Sequence, residues 1–338
     1  MSEKYHIIQR ITKGDHSIIY SCIDRIDGNM IAVKIEPKTI EHSRLRHEYK
    51  VYRSLAVAAL GLPRIYYYRE TAKNRLMFME LLGFNLEDLF IKCGKKFSIV
   101  TTLRLSIQII SRLENIHEQG YILRNVSPSN FCLGLDARKE IIYFSNFGLA
   151  KKYCNLNEGI THIPMVSKKK KIEVSPIFLS ANCMMGVESS RKDDLESLGY
   201  MIIYFIKGGL PWSTLYENVS ILQKKQNISI ERLADGLPKG IKDFMRNIKS
   251  LKFEQRPDYD YLRLLLVDVL SGLENNNSPA DWAGMILDRD RIIRNHQGIT
   301  LRNAGSNNGL NIIIPRRPLT ATERYFLIYI YIPIHTYI

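Results

Sequence analysis

Lys34 and Glu48 are the residues whose types and spacing most directly suggest chemistry. Lys34 lies in the strand-like run 30–35, and Glu48 falls on a helical stripe with Leu45 and Tyr52. A lysine that points from a strand toward a phosphate needs a carboxylate to hold it, so this pair could position a phosphorylated ligand. Taken alone, the pair is better explained as an exposed lysine and a solvated glutamate.

The first 82 residues contain the elements that must position this pair. A helical spacing of apolar residues, starting at Leu45, predicts one helix. Asp27-Gly28-Asn29 predicts a hairpin turn, and Gly14 lies between two strand-like runs, where a backbone can approach a phosphate closely. Short β-branched or aromatic runs predict strands over residues 5–11, 18–23, 30–35, 65–68 and 76–79.

From about residue 83 the apolar pattern becomes helical. Two stripes at helical spacing mark this half of the chain, namely Leu103, Ile107, Ile110 and Leu113, and Leu195, Leu198, Ile202 and Phe205. A β-rich lobe followed by a helical lobe predicts the α+β class. The cleft between two such lobes is the default position for a ligand.

The composition is that of a folded protein with a basic surface. The 338 residues are 45% hydrophobic, which excludes wholesale disorder, and 48 Lys and Arg against 34 Asp and Glu give a net charge of +14. That charge favours acidic partners. The five cysteines form no CxxC pair, which predicts reduced thiols, cytoplasmic or nuclear localisation and no zinc site.

The ends of the chain lead to further expectations. No run of about 20 apolar residues occurs, so we expect no membrane span, and residues 1–4 begin no apolar signal segment. The tail 288–338 is rich in Arg and Asn, which predicts disorder, and it ends in the Ile- and Tyr-rich stretch 326–338. The basic run 168–171 is consistent with either a solvated loop or contact with an acidic partner.

Several ordered motifs give the chain a family resemblance. Between about residues 5 and 287 it resembles the casein kinase I family of eukaryotic protein kinases. The motifs that carry the resemblance are Met79-Glu80-Leu81-Leu82-Gly83, Leu86-Glu87-Asp88-Leu89-Phe90, Gly148-Leu149-Ala150-Lys151-Lys152-Tyr153 and Asp194-Leu195-Glu196-Ser197-Leu198-Gly199-Tyr200, with Ser180-Ala181-Asn182 where other kinases carry Ala-Pro-Glu. The resemblance implies a bilobal kinase domain over 1–287, with an N-lobe at 1–82 and a C-lobe at 83–287.

The resemblance also implies a role for individual residues. Lys34 should reach the ATP phosphates with Glu48 behind it, and Asn130 should contact both nucleotide and metal. Asp194 should anchor the catalytic loop from below. The remaining nucleotide-binding positions are Gly14, Ala32, the gatekeeper Met79, and the hinge residues Glu80 and Leu82, and the remaining structural positions are Arg124 and Phe147.

Two asparagines replace residues on which the family's chemistry depends. Asn125 stands at the position of the catalytic-loop Asp, and an amide is not a usable base at neutral pH. Asn146 stands at the position of the metal-binding Asp in Asp-Phe-Gly, so the negative charge that attracts Mg²⁺ is missing. These changes predict weak ATP binding and make Mg²⁺ binding doubtful.

Other positions depart from the family as well. Ser127 replaces the lysine that meets the transferred phosphate, and Ile177 replaces an arginine that the family uses for anionic substrate groups. Asp15 adds negative charge to a phosphate loop that keeps only its middle glycine. The other departures are Thr12, Ser17, Leu123 and Val174.

Three hypotheses follow. The first is a catalytically inactive or severely impaired pseudokinase, a monomer that acts by binding acidic or phosphorylated protein partners. The second is an atypical but active Ser/Thr kinase that relies on Lys34, Glu48 and Asn130. The third is a basic nucleic-acid-binding module on a kinase scaffold, which has the least support because no stacking platform or recognition motif accompanies the charge.

Overall fold

The computed structural model describes residues 4–55, 61–154, 159, 162–167 and 174–285. The predicted tail 288–338 and the basic run 168–171 lie outside the described residues. Within them the chain has the predicted α+β class, with a sheet-rich N-terminal lobe and a helical C-terminal lobe. No helix in the described part of the chain combines the length and apolar character needed to cross a membrane.

The N-terminal lobe is built on a five-stranded antiparallel sheet. Its strands are β1 (Tyr5–Lys13), β2 (Ile18–Asp24), β3 (Met30–Pro37), β4 (Ile65–Glu70) and β5 (Asn74–Glu80). Their order in the sheet is β1-β2-β3-β5-β4. The predicted turn joins β2 to β3, where Gly28 has φ 71° and the backbone N–H of Asn29 donates to Asp27 Oδ1 at 3.0 Å.

One helix, α1 (Arg44–Ser54), packs on this sheet as predicted. It begins at Ser43, whose side chain accepts a hydrogen bond from the backbone N–H of Arg46 and so satisfies one of the free donors of the first turn. The face turned inward carries Glu48 together with apolar residues. The helical spacing in the sequence therefore placed Glu48 on the correct face.

The C-terminal lobe is helical, with short strands around the catalytic loop. Its helices are α2 (Leu86–Lys92), α3 (Ile99–Glu118), α4 (Ala181–Met184), α5 (Arg191–Lys207), α6 (Asn218–Asn227), α7 (Ile230–Leu233), α8 (Lys239–Ser250) and α9 (Tyr259–Ser271). Its strands are β6 (Tyr121–Ile122), β7 (Phe131–Leu133), β8 (Ile142–Phe144) and β9 (Lys151–Lys152).

The two predicted apolar stripes lie on α3 and α5. Every residue of the α5 stripe is buried, and so is Trp212 just beyond it. The stripe predicted on α3 covers only part of the buried surface of that helix. Ile107, which belongs to the stripe, is only half-buried, whereas Leu105 and Ile109, which lie outside it, are buried. Since α3 contacts both α5 and α9, it buries more than one face.

Candidate functional site

The predicted pair of Lys34 and Glu48 is assembled in the structure. Lys34 Nζ lies 2.6 Å from Glu48 Oε2, and the two side chains are 10% and 1% exposed. The alternation of β3 turns Lys34 to the face of the sheet on which α1 packs. The other oxygen, Glu48 Oε1, accepts the backbone N–H of Phe147 at 3.2 Å. One carboxylate thus joins the sheet, the helix and the segment that follows the catalytic loop.

A second buried carboxylate, Glu36, fixes the start of α1. Its oxygen Oε1 accepts the backbone N–H groups of Arg44 and Leu45, both at 3.0 Å, and its Oε2 accepts Arg75 Nη1 at 3.1 Å and the hydroxyl of Ser43. A carboxylate is favourable at a helix N-terminus. Because Glu36 lies two residues after Lys34 in β3, this contact ties the strand that carries the lysine to the helix that carries the glutamate.

Phe147 occupies a fully buried position between the lobes. Its ring packs edge-on against Tyr52 of α1 at 4.7 Å and against Phe144 of β8 at 4.9 Å, measured between ring centroids. Aromatic pairs favour this geometry. The residue therefore occupies a packing position in the structure.

Asp194 at the start of α5 holds the catalytic loop from below. Its Oδ2 accepts the backbone N–H of Leu123 at 2.7 Å, and its Oδ1 accepts that of Arg124 at 2.9 Å. The ring of His117 lies 2.9 Å from the same carboxylate. Arg124 has φ 63°, a conformation that costs energy for a residue with a side chain, and the two hydrogen bonds from the loop backbone to Asp194 stabilise it.

The three asparagines of the site form one hydrogen-bonded network. Asn146 Nδ2 donates to Asn130 Oδ1 at 3.0 Å, and Asn146 Oδ1 accepts the backbone N–H of Gly148 at 3.2 Å. Asn130 Nδ2 in turn donates to the backbone carbonyl of Asn125 at 2.9 Å and to Ser127 Oγ at 3.1 Å. The oxygen of Asn130 that could face a metal therefore already accepts an amide N–H.

The hinge residues Glu80 and Leu82 lie at the end of β5 and just beyond it. Ala32 and Met79 are partners across β3 and β5, and both are buried. The backbone N–H of Glu80 donates to the carbonyl of Arg64 at 2.8 Å, so this N–H is not available to a ligand. Leu82 lies beyond β5 and is also buried. The adenine-binding roles of these residues stay predictions.

Gly14 lies in the turn between β1 and β2, where its backbone N–H donates to the carbonyl of Ser17 at 2.9 Å. A Cβ added at this position would meet nothing nearer than that carbonyl oxygen, at 3.6 Å. The turn itself therefore does not require a glycine. A need for glycine here would have to come from a ligand that approaches the backbone.

A basic cleft of about 520 Å³ lies beside α1 and the catalytic loop. His47 Nε2 is 2.7 Å from the carbonyl of Ala150, and Lys151 Nζ pairs with Glu188 at 2.8 Å. Among the described residues that line the cleft there is no carboxylate, so basic side chains dominate its charge, although Glu188 pairs with Lys151 from outside the lining. The basic residues that line it are His47, Lys50, Arg124, Lys151 and Lys152.

Sequence reasoning missed several residues that position the site. Glu36 could have been noticed, because it lies on the same strand face as Lys34 at a spacing of two. The contacts of His117 and His47 could not have been predicted from the sequence, because their partners lie 77 and 103 residues away in the chain. Among the predicted site residues, the structure joins Lys34 to Glu48 directly and joins Asn130 to the side chain of Asn146 and to the backbone of Asn125.

The fold and this arrangement of residues are those of a protein kinase domain. A profile described as the protein kinase domain matches residues 5–263. The lysine–glutamate pair, the buried phenylalanine and the aspartate under the catalytic loop all lie within the matched region.

Two curated relatives define the branch. Casein kinase I homolog 2 of Schizosaccharomyces pombe is 36% identical over 289 residues, and casein kinase I homolog 3 of the same organism is 34% identical over 290 residues. Each alignment covers 82% of this chain but only 65% of the relative. The chain therefore belongs to the protein kinase family, in its casein kinase I branch.

Proposed function

We propose that this domain is a pseudokinase, catalytically inactive or severely impaired, that acts by binding protein partners. The observation that carries the proposal is the hydrogen bond from Asn146 Nδ2 to Asn130 Oδ1 at 3.0 Å. It joins the two side chains that the resemblance assigns to the metal. The relatives bear the names of kinases, but this chain carries amides where the family's chemistry needs carboxylates.

The residues at the metal position do not fit Mg²⁺ well. Kinase domains in general use ATP together with Mg²⁺, which prefers carboxylate and phosphate oxygens. At this position both side chains are neutral amides, and an N–H of Asn146 points at the oxygen of Asn130. An aspartate at 146 would instead place two acceptors face to face, which a cation between them would stabilise. The amide proton thus takes the position that a cation would need.

The residues that would contact ATP fit better. Glu48 holds Lys34 in place at 2.6 Å in the absence of a ligand. The lysine side chain would therefore lose little conformational freedom when its charge binds a phosphate. Asp15 in the β1–β2 turn opposes this with a negative charge on an exposed position. We therefore propose that ATP binds weakly and almost independently of Mg²⁺.

The chemical step lacks its base. An amide at 125 cannot take the proton of an attacking hydroxyl, and general-base help is worth about 10²–10⁴-fold in rate. Ser127, an uncharged residue, replaces the lysine of the catalytic loop and instead accepts a hydrogen bond from Asn130 at 3.1 Å. Base, metal ligand and phosphate contact are therefore changed together.

The basic cleft supports an acidic or phosphorylated protein as partner. It gathers basic side chains from α1, from the catalytic loop and from β9. Cationic surfaces that converge on one cleft attract anionic groups. The five cysteines are free thiols, which is compatible with the proposed location in the cytoplasm or nucleus.

A thermal-shift titration with ATP, with and without Mg²⁺, tests the proposal. We expect a small rise in melting temperature that Mg²⁺ does not change. The matched variant Asn146→Asp should gain a Mg²⁺-dependent rise, because it restores one charged ligand. A large Mg²⁺-dependent rise in the unaltered chain would contradict the proposal, since Asn130 and the nucleotide phosphates would then suffice to hold the metal.

A second candidate function is an atypical active Ser/Thr kinase. It is favoured by the intact contacts from Glu48 to Lys34 and to the backbone of Phe147. In that case substrate phosphates or another carboxylate would replace the missing groups. The rate of phosphotransfer to a protein substrate, measured beside that of an active relative, distinguishes the two candidates.

A further inference from the structure

The helix α6 has two faces of different character. Its inner face carries Ile221 and Lys225, which are 1% and 2% exposed. Lys225 Nζ donates to the carbonyl of Pro176 at 2.6 Å and to that of Leu179, so this face is fastened to the segment 174–179. The side chains on the opposite face of the helix are exposed.

Large apolar side chains lie along this outer face. Tyr216, just before the helix, is 98% exposed, and Val219 in the first turn is 65% exposed. Gln223 and Gln226 follow Val219 at spacings of four and seven, which share one helix face. Gln226 Nε2 lies 3.2 Å from the sulfur of Met185 at the end of α4, and Met185 is 44% exposed. We call this surface of five residues the α6 stripe.

The composition of the α6 stripe is that of a contact surface. The cores of protein interfaces are depleted of charged residues and enriched in Tyr and Met. All five side chains of the stripe are uncharged, and three of them are large and apolar. Single exposed apolar residues are ordinary on a protein surface, whereas several in one row along a helix indicate a place where another protein binds.

Two opposite charges flank the stripe on one side. Glu217 and Lys224 are seven residues apart, so they lie on the same flank of α6, about 10 Å from each other along the axis. Both are exposed, and among the described residues neither joins an ion pair. Glu217 does not cap the helix with its side chain and accepts only the hydroxyl of Ser220, at 3.5 Å. Both charges are therefore free to meet a partner.

We propose that the α6 stripe binds the α6 stripe of a second copy of this chain, with the two helices antiparallel about a two-fold axis. Such an arrangement brings each flank of one helix against the same flank of the other, in reversed order. Glu217 of each copy then meets Lys224 of the other. The axis passes between positions 220 and 221, and Val219 lies opposite Leu222 of the second copy.

The charge pattern favours a second copy over an unrelated protein. The acidic and the basic residue are placed symmetrically about the middle of the stripe, so the surface is complementary to itself after a two-fold rotation. A parallel pair would instead bring each charge level with the same charge of the other copy. The dimer thus satisfies both charges and covers the apolar side chains together.

This interface is separate from the basic cleft. The cleft is lined by residues of α1, the catalytic loop and β9, and by no residue of the stripe. A dimer through α6 therefore leaves the cleft open to an acidic partner. The dimer goes beyond the proposed function, does not depend on whether the domain is active, and departs from the monomer expected from the sequence.

Sedimentation equilibrium of the whole 338-residue chain tests the dimer. One short helix per copy forms a small interface, so we expect a reversible equilibrium between monomer and dimer with a Kd of about 1–100 µM. The dimer should weaken as salt is added, because its ion pairs lie at an exposed rim. A chain that stays monomeric up to about 100 µM would overturn the proposal.

Exchange of the two charges tests the pairing itself. Glu217→Lys places like charges together at both symmetric contacts and should raise the Kd about tenfold or more, and Lys224→Glu should do the same. The double variant Glu217→Lys with Lys224→Glu restores opposite charges in exchanged positions and should recover dimerisation. Single variants that dimerise like the unaltered chain, or a double variant that does not recover, would overturn the antiparallel pairing.

Two further variants separate this surface from any other. Val219→Asp brings two like charges close to the two-fold axis and should abolish the dimer up to about 100 µM. Glu41→Lys makes the same charge change as Glu217→Lys at an exposed position of the N-terminal lobe and should leave the Kd unchanged. All substituted residues are exposed, so circular dichroism should show an unaltered fold. Persistent dimerisation of Val219→Asp would mean that another surface joins the copies and that the proposal is wrong.

Discussion

The contacts around Glu48 and the amide network around Asn130 are the two halves of the candidate site, and they differ in kind. Around Glu48 a charged pair at 2.6 Å is buried and joined to the backbone of Phe147. Around Asn130 neutral amides and a serine hydroxyl bond to each other. The first half is a buried ion pair, and the second half consists of neutral groups.

The comparison teaches which constraints act on each half. Glu48 and Lys34 stand in the interior, where a charge without its partner is costly. Asn125 and Asn146 are half-buried residues beside the interlobe region, and an amide fills the same space as a carboxylate. The fold therefore accommodates uncharged amides at 125 and 146, whereas loss of the buried pair would damage the fold itself.

The largest expected effect concerns phosphotransfer. Because base and metal ligand are both changed, we expect transfer of radiolabelled phosphate to casein to be about a thousand-fold or more below that of an active casein kinase I relative. The two proteins are assayed side by side at the same ATP and Mg²⁺ concentrations. A rate within about tenfold of the relative would show that the amide half is competent and would favour the second candidate function.

The next prediction compares the two halves by stability. Glu48→Ala leaves Lys34 buried without its partner and should lower the free energy of unfolding by about 3–5 kcal/mol. Asn146→Ala removes neutral hydrogen bonds only and should cost about 1 kcal/mol. Chemical denaturation measures both variants. Equal losses would mean that the amide network contributes as much to the free energy of unfolding as the buried pair does. That result would contradict the distinction between the two halves of the site.

Asp194 allows a test of the support under the catalytic loop. Asp194→Asn replaces an acceptor of several N–H groups by a neutral amide with one oxygen, so we expect a loss of about 2–3 kcal/mol in unfolding free energy. The control is Asp235→Asn at an exposed position, with an expected change within about 0.5 kcal/mol. A comparable response of the two variants would indicate that the loop does not depend on this carboxylate.

The smallest expected effect is recovery by repair. Asn125→Asp together with Asn146→Asp returns the base and one metal ligand but leaves Ser127 without the positive charge that steadies the moving phosphate. Catalytic groups act as a unit, so we expect detectable autophosphorylation at most, with a gain below about tenfold. The double variant is compared with an active family member on one peptide. A comparable rate would mean that two point changes alone had removed activity.

Much of the fold could be predicted because its pattern is local. The strand runs, the hairpin turn at Gly28 and the inward face of α1 follow from residue types within a few positions of each other. The contact of Glu36 with Arg75 is beyond such local patterns, since the two residues are 39 positions apart in the chain. The stripe predicted on α3 was correct at Leu103, Ile110 and Leu113 but too narrow, because α3 packs against more than one neighbour.

The sequence by itself determined that positions 125 and 146 carry no negative charge, because no tertiary environment gives an amide the charge or basicity of a carboxylate. Only the tertiary structure decided where the N–H groups of Asn146 point, since the bond to Asn130 depends on how two loops meet. The same holds for α6, where two consecutive lysines look alike in the sequence. Lys225 is buried and Lys224 is not because one helix face packs under the segment 174–179 and the other faces water.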